Sequence, residues 1–388
     1  MRDASRRLVK KQETAAKPLP GPAGTALWLE VLTFGYFPFL ALVCLGMAAL
    51  MVFLVVLARS IGFFFWPLLM PAGVLFLALL HVVVCLRVLF VRIDEKDPME
   101  LRWPRRKLGE LYDLVAEVAE RLELEPPDEI RFAADTLAHV YESKRGKRVL
   151  VLGGMTVAGL SQQALAGIIA HELNHFTAGD TRASRRALRR HSLMAMLDAS
   201  LQEERRTSLN PGVWLIRGYH LVYQLAWAAQ SREQEYGADR RTLECTGRDC
   251  AAATLLHLMV GDYLPWVRLS SVAETCVATN QPMRQIFAEH ADRIREVGRG
   301  DWREACEKAL RHTTDWLDSH PCLRERLQAM GVTPKRALEL VAEQGGRPAR
   351  KLVPDWEEIA ETLTDRLLTI YREIHAAKME LGQILRGR

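Results

Sequence analysis

The chain has 388 residues, 49% of them hydrophobic, and its 52 basic and 47 acidic side chains leave a formal net charge of +5. That length suffices for one large domain or two ordinary ones, with a core that needs no disulfides. So small a positive excess is no argument for a nucleic-acid partner, and we predict none. The seven cysteines form no Cys-x-x-Cys pair, so neither a disulfide framework nor a zinc knuckle at Cys245 and Cys250 is expected.

Two apolar runs near the N-terminus predict a helical hairpin in a membrane. Residues 33–57 carry no charge, residues 61–91 are nearly as apolar, and each run exceeds the roughly 20 residues that cross a hydrocarbon core. Two alternatives are a cleaved signal peptide and a buried core hairpin. The length and late start of the first run disfavour a signal peptide, and the lack of a polar face disfavours a soluble core.

Basic side chains flank this pair of runs on both sides, whereas only Arg59 lies between them. By the positive-inside bias, both termini and everything after about residue 92 face the cytoplasm. The sequence therefore predicts an integral protein of the inner or cell membrane whose larger part is cytoplasmic. The flanking residues are Arg2, Arg6, Arg7, Lys10, Lys11 and Lys17 before the hairpin and Arg92, Lys96, Arg102, Arg105, Arg106 and Lys107 after it.

The rest of the chain reads as mostly helical with a small β-sheet. Residues 107–124 place leucines and valines on one helical stripe, and short β-like runs begin at Glu129 and Arg148 with the loop "SKRGK" before the second. Ser161 is a good N-cap for the helix that follows. Helical patterns then continue almost to the C-terminus, which predicts an α+β fold dominated by helices.

Each of two later segments allows two interpretations. Residues 213–229 are apolar but contain Arg217 and His220, which are costly in a bilayer, so an amphipathic or core helix is favoured over a membrane span. Residues 356–385 form a long amphipathic helix. Packing on the domain is favoured for this helix over a coiled-coil or partner role.

The stretch "AHELNHFTAGD" carries the chemistry. On a helix, His171 and His175 are four residues apart and face the same side, so that both imidazoles can reach one metal ion while Glu172 lies beside them. The apolar approach "ALAGIIA" indicates a buried helix, where polar side chains need partners. The pattern therefore predicts a metal site with a neighbouring general base.

A catalytic zinc site needs a third protein ligand. Glu235, in the helical stretch "SREQEYGADR", is the best candidate, and Asp239 follows one turn later, where it can accept a hydrogen bond from the free N–H of a ligating histidine. Composition alone does not select Glu235 over Glu233 or Glu244.

The blocks "HELNH", "EYGAD" and "SHPCLRERL" together resemble the membrane-associated zinc metallopeptidases of the M48 class, the HtpX and Ste24-like group, over about residues 130–330. The resemblance implies a gluzincin-like metallopeptidase domain and one Zn²⁺ per chain. It implies protein or peptide substrates at the cytoplasmic membrane face, with a possible part in membrane-protein quality control. By position it implies His171, His175 and Glu235 as zinc ligands, Glu172 as general base and Asp239 as the group that orients a ligand.

Two further residues follow from the same resemblance. His320 matches a position near the active site, where it would help to hold substrate or the developing oxyanion, and Arg326 would contact substrate alongside it. A simple helix-start histidine before Pro321 is the alternative for His320. In "DTLAHVY" the asparagine common in the family is missing, which leaves the substrate-binding edge open. The expected organisation is an arm (1–30), a hairpin (31–91), a peptidase domain (92–333) and a helical extension (334–388).

Two other functions compete with proteolysis. A nonproteolytic membrane scaffold or partner-binding protein would keep the metal but would not need Glu172. An iron oxygenase also uses two histidines and one carboxylate, although these ligands seldom come as His-Glu-x-x-His on one helix. The sequence gives no indication of oligomeric state.

Overall fold

The computed structural model describes residues 22–61, 66–90, 99–135, 137–143, 145–176, 181–202, 210–260, 269–283, 286–342 and 346–386. The basic residues before position 22, together with Arg92 and Lys96, lie outside this part of the chain. The structure divides into two compact units. The first takes the described residues of Met1–Val91 and Arg182–Glu233, and the second takes those of Arg92–Thr181 and Gln234–Arg388.

Helices dominate both units. In chain order the elements are α1 (Pro22–Ile61), α2 (Trp66–Cys85), β1 (Glu100–Arg102), α3 (Glu110–Arg121), β2 (Glu129–Ala133), β3 (His139–Glu142), β4 (Arg148–Gly153), α4 (Gly154–Gly159), α5 (Gln162–Asn174), α6 (Thr181–Gln202), α7 (Pro211–Thr246), α8 (Arg248–Val260), α9 (Leu269–Thr279), α10 (Ile286–Glu296), α11 (Arg299–Arg311), α12 (Leu323–Ala329), α13 (Pro334–Ala342) and α14 (Trp356–Arg386).

The first unit contains the apolar helices. Within α1, residues Ala26–Ile61 are long and apolar enough to cross a membrane, with a window of mean hydropathy 3.0 of which only 17% is buried. Met70–Cys85 in α2 is a shorter apolar helix, and Leu75 packs on Val43 and Met47 of α1. A helix whose apolar side chains are mostly exposed is unlike the core hairpin of a soluble protein.

The first part of α7 packs in the same unit. Val213, Ile216 and Tyr223 are fully buried, whereas Trp214 and Leu215 are more than half exposed. Residues 213–229 therefore form part of a longer helix with one buried face, and the preference for an amphipathic or core helix over a membrane span stays a prediction.

A hydrogen-bonded group of polar side chains lies inside the first unit. His220 is 1% exposed, with Nδ1 2.8 Å from Oδ1 of Asp198 on α6 and Nε2 2.9 Å from the hydroxyl of Tyr36 on α1. The imidazole therefore bridges the two side chains, with one ring nitrogen at each. The three side chains connect α1, α6 and α7 through satisfied buried polar groups.

The second unit contains a four-stranded mixed sheet in the order β1-β2-β4-β3. β2 and β4 are parallel, with Ile130 opposite Leu150, whereas β1 and β3 pair antiparallel with β2 and β4, respectively. The predicted strands at Glu129 and Arg148 are confirmed. They are not joined to each other as a hairpin, since "SKRGK" connects β3 to β4 and Ser143 N donates to Lys147 O at its base.

One face of this sheet packs on α5. Leu150 and Leu152 of β4 lie in one core with Leu165, Ile168 and Ile169 of α5, all at most 1% exposed. The C-terminal helix α14 joins the same core through Ile359, Leu363 and Leu367, as favoured for that helix. The predicted fold class, mostly helical with a small sheet and an apolar hairpin in front, is confirmed. The domain boundaries at residues 30, 91 and 333 stay a prediction.

Candidate metal centre

The helix α5 positions the two histidines of the motif. Ser161 caps its start by accepting a hydrogen bond from Ala164 N at 3.2 Å, and the apolar face of α5 fixes the helix against the sheet. His171 and His175 are one turn apart, with ring centroids 5.1 Å apart and ring planes at 83°. Ligand atoms of His171, Glu172 and His175 all lie within 4.8 Å of one another.

The carboxylate of Glu235 on α7 reaches both imidazoles. Its Oε2 lies 3.3 Å from His171 Nε2, and its Oε1 lies 3.7 Å from His175 Nε2. Glu235 is 6% exposed, so its side chain faces the interior of the unit. By contrast, Glu244 of the same helix is exposed. The structure thus places the carboxylate of Glu235 beside the two histidines. Composition alone does not select this glutamate.

Asp239 and Arg326 contact the side chains of His171 and Glu235. Asp239 Oδ1 lies 3.3 Å from His171 Nδ1, the nitrogen that does not face Glu235. Arg326 donates two hydrogen bonds to Asp239, at 2.6 and 2.7 Å, and its Nη1 lies 3.1 Å from Glu235 Oε2. Arg326 is 4% exposed, and both of the carboxylates it contacts belong to the site.

His320 lies at the open side of the site. Its Nδ1 is 3.1 Å from Glu235 Oε1, and its side chain is 63% exposed. The short helix α12 begins only at Leu323, with Cys322 at its N-cap. His320 therefore precedes the helix by several residues, and it touches the same carboxylate as the two motif histidines.

The surroundings shift the pKa values of these groups in opposite directions. Loss of hydration raises the pKa of Glu172 to about 7 and lowers that of His175 to about 4. For His171, burial opposes protonation, but hydrogen bonding to Asp239 and Glu235 outweighs it and raises the pKa to about 9. For Glu235, burial is outweighed by hydrogen bonds from His171 and His320, and the pKa falls well below its usual range.

These donors fit a zinc ion. Two imidazole Nε2 atoms and one carboxylate converge at 3.3 and 3.7 Å, and ligands of tetrahedral zinc at about 2.0–2.1 Å from the ion are themselves roughly 3.3 Å apart. Asp239 lies where it can accept a hydrogen bond from His171 Nδ1 while Nε2 faces Glu235, an arrangement that suits a histidine binding a metal through Nε2. Glu172 adds a carboxyl group with a raised pKa next to this donor set.

A comparison with protein families identifies the relatives of the chain. The profile of Peptidase family M48 matches residues 105–332, which is more than half of the 388 residues and includes every residue of this site. The chain belongs to peptidase family M48. M48 peptidases are zinc metalloproteases, so family membership implies the same class of enzyme here. A comparison with curated proteins finds no match.

Two features of this M48 site have no signal in the sequence. The two hydrogen bonds from Arg326 to Asp239 join residues 87 positions apart, and nothing in "SHPCLRERL" indicates them. His139 on β3 is close enough for its charge to lower the pKa of Glu172, and Glu100 of β1 in turn raises the pKa of His139 by hydrogen bonding. Both arise from the way in which distant segments pack.

Proposed function

We propose that the chain is a zinc-dependent endopeptidase that hydrolyses peptide bonds of protein substrates, with His171, His175 and Glu235 holding one zinc ion per chain. The observation that carries this proposal is the convergence of both imidazoles on the buried carboxylate of Glu235, with Glu172 beside them. Within family M48, we assign the chain to the HtpX and Ste24-like group on the blocks "HELNH", "EYGAD" and "SHPCLRERL".

The proposed reaction begins with a proton transfer to Glu172. Zinc held by the three ligands supplies Lewis acidity for the scissile carbonyl and for the attacking water. Glu172 takes a proton from that water as it attacks, and then delivers the proton to the leaving amine. Burial raises the pKa of Glu172 above that of an exposed glutamate, which makes the carboxylate a better proton acceptor for the first step.

The remaining residues orient these groups. Asp239 holds His171 in the tautomer that directs Nε2 to the metal, and Arg326 holds Asp239 in turn. His320 is exposed at the open side and is proposed to stabilise the oxyanion that forms on the scissile carbonyl. A substrate contact by Arg326 stays a prediction, although its guanidinium is buried against two carboxylates.

A sheet edge beside the site offers a place for the substrate. β3 pairs with β4 on one side, and no strand in the described part of the chain pairs with its other side. An extended peptide can add to such an edge through main-chain hydrogen bonds. Because His139 of β3 acts electrostatically on Glu172, a peptide bound along β3 would pass close to the general base.

The first unit is proposed to embed in a lipid bilayer. Large apolar side chains on α1, α2 and α7 are exposed, such as Phe34, Leu77 and Trp214, whereas His220 is buried. Exposed apolar helices such as these suit hydrocarbon better than water, and the buried His220 has hydrogen-bonding partners inside the unit. With the positive-inside bias this gives a cytoplasmic peptidase domain at the membrane face, where misfolded membrane proteins are a proposed class of substrate.

Matched variants of the full chain in detergent test this proposal. Glu172→Gln should retain the zinc of the parent protein and lose casein cleavage, whereas Glu235→Gln should lose both. Glu244→Gln, an exposed carboxylate on the same helix as Glu235, is the control and should behave as the parent. Cleavage should stop when a chelator removes the metal and return with added zinc.

The same experiment separates the competing functions. Equal zinc and equal cleavage in the parent and Glu172→Gln would contradict the assignment of the general base. Zinc without cleavage in any variant, on casein and on a peptide library, would favour a nonproteolytic scaffold. Stoichiometric iron in place of zinc would favour an oxygenase.

A further inference from the structure

A cavity of about 390 Å³ lies in the second unit, apart from the metal site. Its walls come from the segment between α4 and α5, from the α10–α11 connection and from the turn at residues 349–352. None of the residues that line it is a proposed ligand or catalytic residue. We infer that this cavity binds an anion carrying two or more phosphate groups.

Positive charge converges on this cavity. Four arginines line it, Arg295, Arg299, Arg303 and Arg350, and no acidic residue of the described chain is among its lining residues. Four guanidinium groups around one concave space repel one another. The charged residues that line the cavity are therefore all positive.

Two of the four arginines have no counter-charge. In the residues that the structure describes, neither Arg299 nor Arg350 has a carboxylate within 4.0 Å. Arg295 lies 2.9 Å from Asp292, and Arg303 lies 3.1 Å from Glu307, both partners being on the same helix as their arginine. These exposed pairs are weak. Among the described residues, ion pairs thus account for two of the four arginines at the cavity.

The chemistry of the cavity indicates the class of ligand. Arginine presents a planar fork that matches phosphate in a bidentate manner, and two unpaired forks match two anionic groups. A volume of about 390 Å³ is within the range of small-molecule sites. Trp302, Leu338 and Pro348 add apolar wall, which would accommodate an organic part of the ligand. A soluble phosphorylated compound and a lipid phosphate headgroup share this chemistry.

Pyrophosphate is the probe for the first arm of the test, titrated calorimetrically into the full chain in detergent at constant ionic strength. We expect saturable binding of one pyrophosphate per chain. The double variant Arg299→Gln/Arg350→Gln should bind about ten- to hundredfold more weakly, because it loses two charge-assisted contacts. Arg311→Gln, at the other end of α11 and outside the cavity, is the matched control and should bind as the parent does.

Nanodiscs distinguish the source of the phosphate. If phosphatidic acid in the nanodisc displaces pyrophosphate and phosphatidylcholine does not, the natural ligand is a lipid headgroup; if neither displaces it, the ligand is soluble.

Unsaturable binding, or equal affinity in the parent and in a double variant with unchanged thermal unfolding, would overturn the inference. If the double variant unfolds, Arg299→Lys/Arg350→Lys keeps the charge, and binding as tight as that of the parent would contradict the role of the guanidinium forks. Because the measured quantity is pyrophosphate binding, a negative result here leaves the proposed peptidase untouched.

Discussion

Glu172 differs from an ordinary surface glutamate in its hydration. Burial beside His171 raises its pKa to about 7, and a nearby cation such as zinc would lower it. A general base works only as the carboxylate, so protonation of Glu172 removes activity. We therefore predict that kcat/KM falls as the pH is lowered, with an acid limb at or below about pH 7 and a slope of roughly tenfold per pH unit. A pH–rate profile of casein or peptide cleavage measures this limb, and a rate that stays constant or rises down to about pH 4 would contradict the role of Glu172 as base.

Arg326 is a buried charge whose carboxylate partners belong to the site. Replacing it with glutamine would leave Asp239 without its main counter-charge and remove one cation from beside Glu235, and breaking a buried pair typically costs about 3–5 kcal/mol. We predict that Arg326→Gln lowers the free energy of unfolding by this amount and weakens zinc binding. Denaturant unfolding and zinc titration measure the two effects.

An exposed arginine provides the control for Arg326. Arg240→Gln lies next to Asp239 on α7 and should change the unfolding free energy by less than about 0.5 kcal/mol. The competing expectation is that Arg326 contacts substrate directly. In that case Arg326→Gln would raise KM while stability and zinc affinity stayed at parental values, which would contradict the positioning role.

At the scale of elements, α5 depends on a close approach to α8. A Cβ atom added at Gly167 would lie 2.1 Å from Thr254 Oγ1 and 3.0 Å from Thr254 Cβ, and Thr254 is 2% exposed. Alanine normally stabilises a helix interior by about 1 kcal/mol over glycine, but forcing an atom into a packed contact costs about 1–3 kcal/mol. We predict that Gly167→Ala destabilises the protein and displaces the helix that carries His171 and His175.

Two further variants isolate the cause of that destabilisation. Gly300→Ala in α11, where a Cβ meets nothing within 4 Å, should be neutral or stabilising. Thr254→Ala combined with Gly167→Ala should recover part of the lost unfolding free energy, because it removes the atom that clashes. Destabilisation that persists unchanged in the double variant would show that the α5–α8 contact is not the reason.

The elements that the sequence predicts well are those with a strong local pattern. The Ser161 cap, the helix after it and the strands at Glu129 and Arg148 are all present. β1 and β3 have no comparable signal, because β1 has three residues and β3 has four partly exposed ones. β3 lies in the chain between the two predicted strands, and its pairing with β4 makes β2 and β4 parallel neighbours, which no local pattern indicates.

In the metal site, too, the sequence predicts what a local pattern encodes and not what distant segments bring together. The spacing of His171, Glu172 and His175 on one helix face follows from the helical repeat and is legible in the sequence. Glu235 is 60 residues beyond His175, and its preference over Glu233 and Glu244 rests on family resemblance until the packing of α7 brings its carboxylate to the imidazoles. Which distant carboxylate completes a metal site is decided by tertiary contacts, and composition carries no information on it.

At the scale of the whole molecule, two chemically different units share one chain. The first has apolar helices with exposed apolar side chains and a buried His220. The second has a mixed sheet packed on the buried helix α5, which belongs to the candidate metal site. The small net charge of +5 hides this difference, because the charged residues are concentrated outside the two apolar runs. The proposed membrane anchor and the M48 peptidase domain are therefore separate proposals with separate tests.

The most direct test of the central claim is X-ray absorption at the zinc K-edge on the purified full-length protein. We predict one zinc per chain, bound by imidazole nitrogen and carboxylate oxygen at about 2.0–2.1 Å, with two histidines in the first coordination sphere. In Glu235→Gln this signal should be lost or altered, whereas Glu244→Gln should reproduce the parent spectrum. Sulfur at about 2.3 Å, or a purified protein that takes up no zinc, would contradict the assignment of His171, His175 and Glu235 as the metal ligands.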